Sequence, residues 1–259
     1  MSPAATPVTS LAVVAATWKE LSAGLAPLGF PAPPFADLGP KAEVGRVLEW
    51  SLDGRPLLLC ATGVGLVNAA LSLGGLLARH TLSGVLNIGV AGSYDLTALP
   101  LGAVCVASRE VWPEYGLETD QGTSKGIDAR ALRFPVHPGP GPEVWQAIDL
   151  DPDLAAANMG LVLPPDLPRA TALSVSTVTG SAASAQALRE RHHAGVENME
   201  GFALALGCLR AGTDFLELRA VSNQVGSRAS QDWDLPAALS ALGRALSRIF
   251  QLSRQGKKG

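Results

Sequence analysis

Short apolar runs of strand length recur along this chain and alternate with segments of helical period. That alternation limits the possible folds more than any other feature. Leu11–Ala16, Pro56–Ala61, Gly84–Gly89, Gly102–Ser108, Leu173–Val178 and Phe215–Ser222 are mostly apolar and six to eight residues long. Between and after them, Trp18–Leu25, Leu66 to about His80, Ala183–Arg191, Asn198–Arg210 and Leu235–Gln251 read as helices. Strands apolar on both sides need helices on both faces of their sheet, which predicts an α/β fold. Val47–Leu52 and Pro56–Ala61 flank Asp53-Gly54, a hairpin signal. Pro27–Pro40 reads as a surface loop. Residues 109–170 are less regular and read as rim loops, with a short helix around Glu143–Ile148. No internal repeat and no linker divides the chain. The expectation is one domain over 1–259, with its core at about 11–251 and a frayed polar tail, Ser253–Gly259.

With 259 residues, 47% of them hydrophobic and 17% charged, the chain can bury a sizeable core and is not a disordered one. The net charge of −3 provides no broad cationic face, so nucleic acid is not an expected partner. No apolar run approaches the roughly 20 residues of a spanning helix, and no membrane association is expected. No Lys or Arg precedes the apolar start, which argues against a signal peptide. Cys60, Cys105 and Cys208 lie in apolar segments without metal-ligand spacing and read as free thiols of a reducing compartment. A soluble, cytoplasmic protein with no metal is the expectation.

Four places carry residues suited to chemistry. Gly63-Val64-Gly65-Leu66 joins a strand to a helix, where glycines admit a ligand close to backbone or simply make a tight turn. It is neither a P-loop nor a dinucleotide fingerprint. Gly89-Val90-Ala91-Gly92-Ser93 follows a central strand, the usual ligand position in open α/β sheets. Glu197-Asn198-Met199-Glu200-Gly201 opens an apolar helix. Interaction with the helix dipole accounts for Glu197. Glu200 adjoins a face that should be buried, and a carboxylate there needs partners such as sugar hydroxyls. Val221-Ser222-Asn223 ends the last strand, with Gly226, Arg228 and Trp233-Asp234 following.

Taken together, GVAGS (89–93), STVTG (176–180), ENMEG (197–201) and RAVSNQVGSR (219–228) resemble the nucleoside phosphorylase/nucleosidase family. The branch most similar is that of the futalosine hydrolases, cousins of methylthioadenosine/S-adenosylhomocysteine nucleosidase, and the resemblance runs from about Leu11 to Leu242. It implies a three-layer αβα sandwich with a central mixed β-sheet. It also implies that Met199 and Glu200 hold the ribose, with Glu200 accepting from its 2′- and 3′-hydroxyls. Ser222 and Asn223 would orient the purine, Val178 would pack on the base, and Ala91 and Gly92 would line the substrate site. Glu20 would deprotonate water, where otherwise it reads as a surface helix glutamate. The family implies a homodimer or higher homo-oligomer, no cofactor, and for futalosine a place in menaquinone biosynthesis.

The residues add a preference. Cleaving an N-glycosidic bond builds positive charge on ribose and negative charge on the purine, so carboxylates beside the sugar stabilise the transition state. Adenine-directed relatives carry an aspartate where this chain has Asn223. An amide is not a general acid, but it offers a donor and an acceptor, a pattern that suits a 6-oxopurine. The early segment AATWKE and GVAGS contain no arginine, and Lys19 reads as facing away, so water is favoured over phosphate as nucleophile. For the benzoate tail of futalosine, Trp112, Pro113 and Tyr115 are candidates for an apolar slot, in the family's manner across a subunit interface, with plain interface packing the other reading of Trp112 and Tyr115, and Arg228 is a candidate for the carboxylate. His192 and His193 read as surface residues without a role. An inosine/guanosine phosphorylase, a methylthioadenosine-type nucleosidase and a non-catalytic nucleoside binder remain the alternatives.

Overall fold

The computed structural model describes residues 9–33, 44–121, 124–139, 142–227 and 229–256. Its elements in order are β1 (Ser10–Ala15), α1 (Trp18–Leu25), β2 (Val47–Leu52), β3 (Arg55–Ala61), α2 (Leu66–Arg79), β4 (Leu82–Ser93) and β5 (Val104–Val111). There follow β6 (Leu117–Gln121), β7 (Ser124–Asp128), β8 (Ala147–Asp149), α3 (Pro152–Asn158), β9 (Arg169–Ser174), α4 (Ala182–His192), β10 (Val196–Asn198), α5 (Gly201–Ala211), β11 (Phe215–Gln224) and α6 (Leu235–Gly256).

The period-2 geometry of a strand explains how the layers form. In β1, Leu11, Val13 and Ala15 face one way and pack with Leu21 and Leu25 of α1 and Leu242, Leu246 and Ile249 of α6. Ala12 and Val14 face the other way and pack with Leu73 and Leu76 of α2 and Phe202 and Leu204 of α5. Each buried leucine contributes about 1.5–3 kcal/mol by leaving water. Gly24 lets α1 lie close: a methyl group there would sit 2.8 Å from Ile88 and 2.9 Å from Leu246. The helices therefore cover both faces, as the apolar strands require.

The main sheet is mixed, in the order β10-β9-β5-β11-β4-β1-β3-β2, with β8 against β5. β1 and β11 flank β4 in parallel, while β2–β3 is the antiparallel hairpin expected at Asp53-Gly54. The sheet also does something a flat sandwich does not. β4 is 12 residues long, and its last two, Gly92 and Ser93, pair antiparallel with β10. Strands β10, β9, β5, β11 and β4 thus close into a ring, leaving β1, β3 and β2 as the open end. The carboxyl ends of the parallel neighbours β1, β4 and β11 lie side by side, which is where an open α/β sheet binds ligands.

Several boundaries differ from those expected, each for a local reason. The GVAGS segment continues β4 rather than leaving it. There is no helix at Glu143–Ile148; a His137–Val144 bridge and pairing of Ala147–Asp149 with β5 take those backbone groups. The helix of this region is α3, capped by Asp151 with Pro152 in its first turn. β9 ends at Ser174, so Val178 leaves the sheet. Val196–Asn198 is a strand and the helix after it starts only at Gly201. All three cysteines are buried free thiols. No described helix is long and apolar enough to cross a membrane.

Candidate active site

Glu20 is fixed by the first turn of α1. Thr17 caps that helix: its hydroxyl donates to Glu20 Oε2 (2.7 Å) and accepts from the Glu20 N–H, while the Thr17 N–H donates to the same carboxylate oxygen (3.0 Å). This is a complete capping box. The other oxygen, Oε1, accepts from the Val90 N–H at 3.0 Å, which ties α1 to β4. The residue is 7% exposed, so it is not the surface glutamate the sequence also allowed. A carboxylate has about four acceptor positions, and three donors leave one open.

Glu200 stands immediately ahead of α5 and is buried. Its Oε1 accepts from the Gly65 N–H at 3.1 Å, and its Oε2 lies 3.5 Å from Arg219 Nη2. Gly63 and Gly65 have φ of 84° and 94°, conformations open to glycine, so the Gly-Val-Gly loop turns its amide toward this carboxylate. Burial raises the Glu200 pKa above the ordinary carboxylate value, and the Arg219 charge opposes that rise.

Arg219 was overlooked in the sequence, where it lies inside an apolar strand. Its Nε donates to Glu217 Oε1 at 2.6 Å and its Nη1 to the Val90 carbonyl at 3.4 Å. Burial lowers its pKa, but Glu217 and then Glu200 outweigh burial and hold the guanidinium above its ordinary value. Gly89 makes the cluster possible. A methyl group there would lie 2.6 Å from Arg219 Nη1 and 3.0 Å from Glu20 Oε1.

Asn223 reaches the site through a bulge. Val221 pairs with Ala91 and Asn223 with Gly92, so Ser222 is the extra residue. The Ser222 hydroxyl lies 2.8 Å from Asn223 Oδ1 and 3.3 Å from the Ala91 carbonyl; Asn223 Nδ2 lies 3.3 Å from the Gln224 carbonyl. A methyl group on Gly92 would sit 3.0 Å from that Nδ2, so the small residue leaves the amide its place.

Glu20, Ala91, Gly92, Val178, Met199, Glu200, Ser222 and Asn223 all border one cavity of about 400 Å³. Of the residues expected to carry the chemistry or to hold ribose and purine, each borders it; Arg228, expected at the tail of the substrate, lies outside the described residues. Val64, Val178, Trp233 and Leu235 form an apolar rim and are 36–42% exposed. Two expectations are corrected. Lys19 borders the cavity rather than facing away, because it sits in the first turn of α1 at the mouth. Glu197 does not serve a helix dipole; it is buried in β10, accepting from the Tyr94 hydroxyl (2.7 Å) and from Thr179 N–H and Oγ1 (3.0 and 2.6 Å). Trp112 and Tyr115 pack on each other with centroids 5.1 Å apart, and Trp112 also packs on Phe202. Neither borders the cavity of its own chain, whose apolar rim comes from Val64, Val178, Trp233 and Leu235.

The fold and the cavity agree with what comparison with known proteins finds. Residues 11–255 match the family model described as the Phosphorylase superfamily, and the chain belongs to that family. Within it, the chain is similar to the futalosine hydrolases. It is 35% identical to the one from Thermus thermophilus over 81% of this chain and 88% of the relative, and 35% identical to that from Streptomyces coelicolor over 81% and 86%. The Helicobacter pylori 5′-methylthioadenosine/S-adenosyl homocysteine nucleosidase has the same fold, with a TM-score of 0.71, 19% identity, and coverage of 95% of this chain and 100% of that one.

Proposed function

We propose that this chain hydrolyses the N-glycosidic bond of futalosine, releasing hypoxanthine and dehypoxanthine futalosine, a reaction of menaquinone biosynthesis. The observation that carries this reading is the shared cavity: Glu20 and Arg219 meet at Gly89 and Val90, Glu200 lies beside Arg219, and the Asn223 amide borders the same space as both carboxylates. The similarity to futalosine hydrolases supplies the substrate.

In this reading the ribose lies over Glu200, whose acceptors take its 2′- and 3′-hydroxyls. Those bonds strengthen as the sugar becomes cationic. Glu20 takes a proton from water as its oxygen attacks the anomeric carbon. The electrons of the broken C–N bond leave with the purine, which acquires a proton and departs as hypoxanthine. Water rather than phosphate is the nucleophile. Arg219 is buried and engaged by Glu217 and Glu200, and among the described residues bordering the cavity Lys19 is the one cation. A phosphate dianion would find no fork of free donors. The finer fold assignment, a three-layer αβα sandwich, suits the sheet away from its closed ring.

The test is to incubate the pure protein with futalosine, inosine and methylthioadenosine, each with and without phosphate, and identify the released base. Hypoxanthine from futalosine at a phosphate-independent rate is expected; strict phosphate dependence or exclusive adenine release would replace the reading with one of its alternatives. A homodimer is part of the proposal. Val64, Val67 and Leu71 are 42%, 73% and 71% exposed on the start and one face of α2, an apolar stripe running from the cavity rim. Leu71→Asp is expected to convert a dimer into a monomer in light scattering, whereas an unchanged mass would put the interface elsewhere.

A further inference from the structure

Behind the cavity lies a second, buried cluster that shares Asn198 with the cavity lining. Glu110 on β5, Ser174 on β9, Asn198 on β10 and Glu217 and Arg219 on β11 are all buried. The Ser174 hydroxyl lies 2.7 Å from Glu110 Oε2, and Asn198 Nδ2 donates to Glu110 Oε1 at 2.9 Å. Asn198 Oδ1 accepts from the N–H groups of Glu200 and Gly201 at 2.9 and 2.8 Å, which fixes the start of α5. Glu110 Oε1 and Glu217 Oε2 both press on Gly201, where a side chain would collide with each. Two carboxylates therefore face each other across one glycine.

The hydrogen-bond inventory does not close if both are ionised. Glu217 Oε1 holds Arg219, but Glu217 Oε2 is buried with no donor. An orphaned carboxylate oxygen in so dry a place is costly. One proton repairs this. Carried by Glu110 on Oε1, it supplies the missing donor and removes the repulsion between the two acids. Glu217 is left as the counter-ion of Arg219, whose Nη2 lies next to Glu200.

We propose that Glu110 and Glu217 form a proton-sharing pair, with the proton on Glu110, and that through this pair Glu217 positions Arg219 beneath Glu200. Neither acid touches substrate; both act through Arg219. The assignment of Arg219 and Glu200 to the reacting sugar rests on the function proposed above, while the location of the proton does not. Supporting it, burial and then the Glu217 charge raise the Glu110 pKa well above the ordinary range. The charged and titratable groups around Glu110 are Glu217 and Arg219 from β11, Glu200 at the start of α5 behind Arg219, and Cys105 on β5. Burial, with Glu217 beside it, pushes that thiol to about 12 and keeps it neutral.

Toward Glu217 a glutamine imitates a protonated glutamate, so the two acids should respond oppositely to amidation; at residue 110 its NH₂ cannot also accept from Asn198 Nδ2, which lowers the Tm by an amount that does not change with pH. Glu110→Gln is expected to keep most of the wild-type hydrolysis of futalosine. Glu217→Gln is expected to lose about 100-fold in kcat with a smaller change in KM, since misplacing a group beside the reacting sugar costs on that order, and Glu217→Asp should recover part of it. Thermal unfolding adds a reading that a merely structural role would not move. A carboxyl with a raised folded-state pKa contributes stability below its unfolded value of about 4.3, and loses it as pH rises through the folded value. Glu110→Gln has no such group, so its Tm relative to the wild type should rise as pH increases above about 5 and level off once the wild-type carboxyl has ionised. Equal kinetic losses in the two amide variants, or a Tm difference flat with pH, would overturn the pair. If Glu217→Gln does not fold, the pH series of Glu110→Gln decides alone. A wild type inactive on futalosine would sink the functional reading and leave that series standing.

Discussion

Glu20→Gln is expected to bind a purine nucleoside nearly as the wild type does and to lose cleavage, by roughly 10²–10⁴ in kcat, the range a positioned general base supplies. The geometry makes the substitution more telling than its small size implies. Glu20 receives three donors, Thr17 N–H and hydroxyl on Oε2 and Val90 N–H on Oε1. A glutamine has one carbonyl oxygen, so its NH₂ must face a backbone N–H at one of the two ends. That donor–donor conflict costs about 1–3 kcal/mol. The variant should therefore also melt lower, by several degrees for a domain of this size. The two effects separate cleanly. Reduced stability appears in the Tm, whereas loss of the base appears in single-turnover chemistry at temperatures where the variant is folded. Calorimetric titration with a non-cleavable nucleoside checks binding. Turnover near the wild-type rate in folded Glu20→Gln would remove this carboxylate from the mechanism.

That the same residue caps a helix and borders the cavity explains how it reads in the sequence. Thr17-x-x-Glu20 is a legible capping box, and the pattern accounts for Glu20 without any chemistry. Only the resemblance to a family singled it out. The strands were legible because β1, β3 and β4 are apolar on both faces, and the helices α1 and α2 because their apolar residues recur at helical period. The closed ring was not, since it depends on two residues at the far end of β4 changing neighbours. The Ser222 bulge is equally silent, as bulging is decided by register with β4. Arg219 and Glu217 did leave a trace: opposite charges two residues apart on one face of an otherwise apolar strand are partners by geometry. Reading Phe215–Ser222 as an apolar run passed over it. Glu197 and Asn198 were misread because the Glu-Asn-Met-Glu-Gly segment spans a strand end and a helix start, and only Gly201 onward is helical.

Asn223→Asp is expected to shift base preference toward 6-amino purines. The amide's orientation carries the argument. Asn223 Oδ1 faces the Ser222 hydroxyl at 2.8 Å, and the hydroxyl donates to it. The NH₂ is then left for the space beside Gly92, held otherwise only by a long 3.3 Å contact to the Gln224 carbonyl. A donor there complements O6 and N7 of hypoxanthine, both acceptors, and meets the 6-amino group of adenine donor to donor. An aspartate keeps the Ser222 bond with one oxygen and presents its second as an acceptor. That oxygen repels O6, accepts from a 6-amino group, and when protonated can donate to N7 of the leaving base. Exchanging a satisfied contact for an unsatisfied one in a buried site costs about 1–3 kcal/mol. The ratio of kcat/KM for inosine over adenosine should therefore fall by roughly 10- to 100-fold, and the variant's acid limb should follow the new carboxyl. Trp233, 40% exposed at the rim, pairs with residue 223 through backbone, a contact that the side-chain change leaves in place. Parallel assays of the two nucleosides across pH measure both effects, and a ratio unmoved from the wild type would mean that recognition of the purine edge lies with groups other than residue 223.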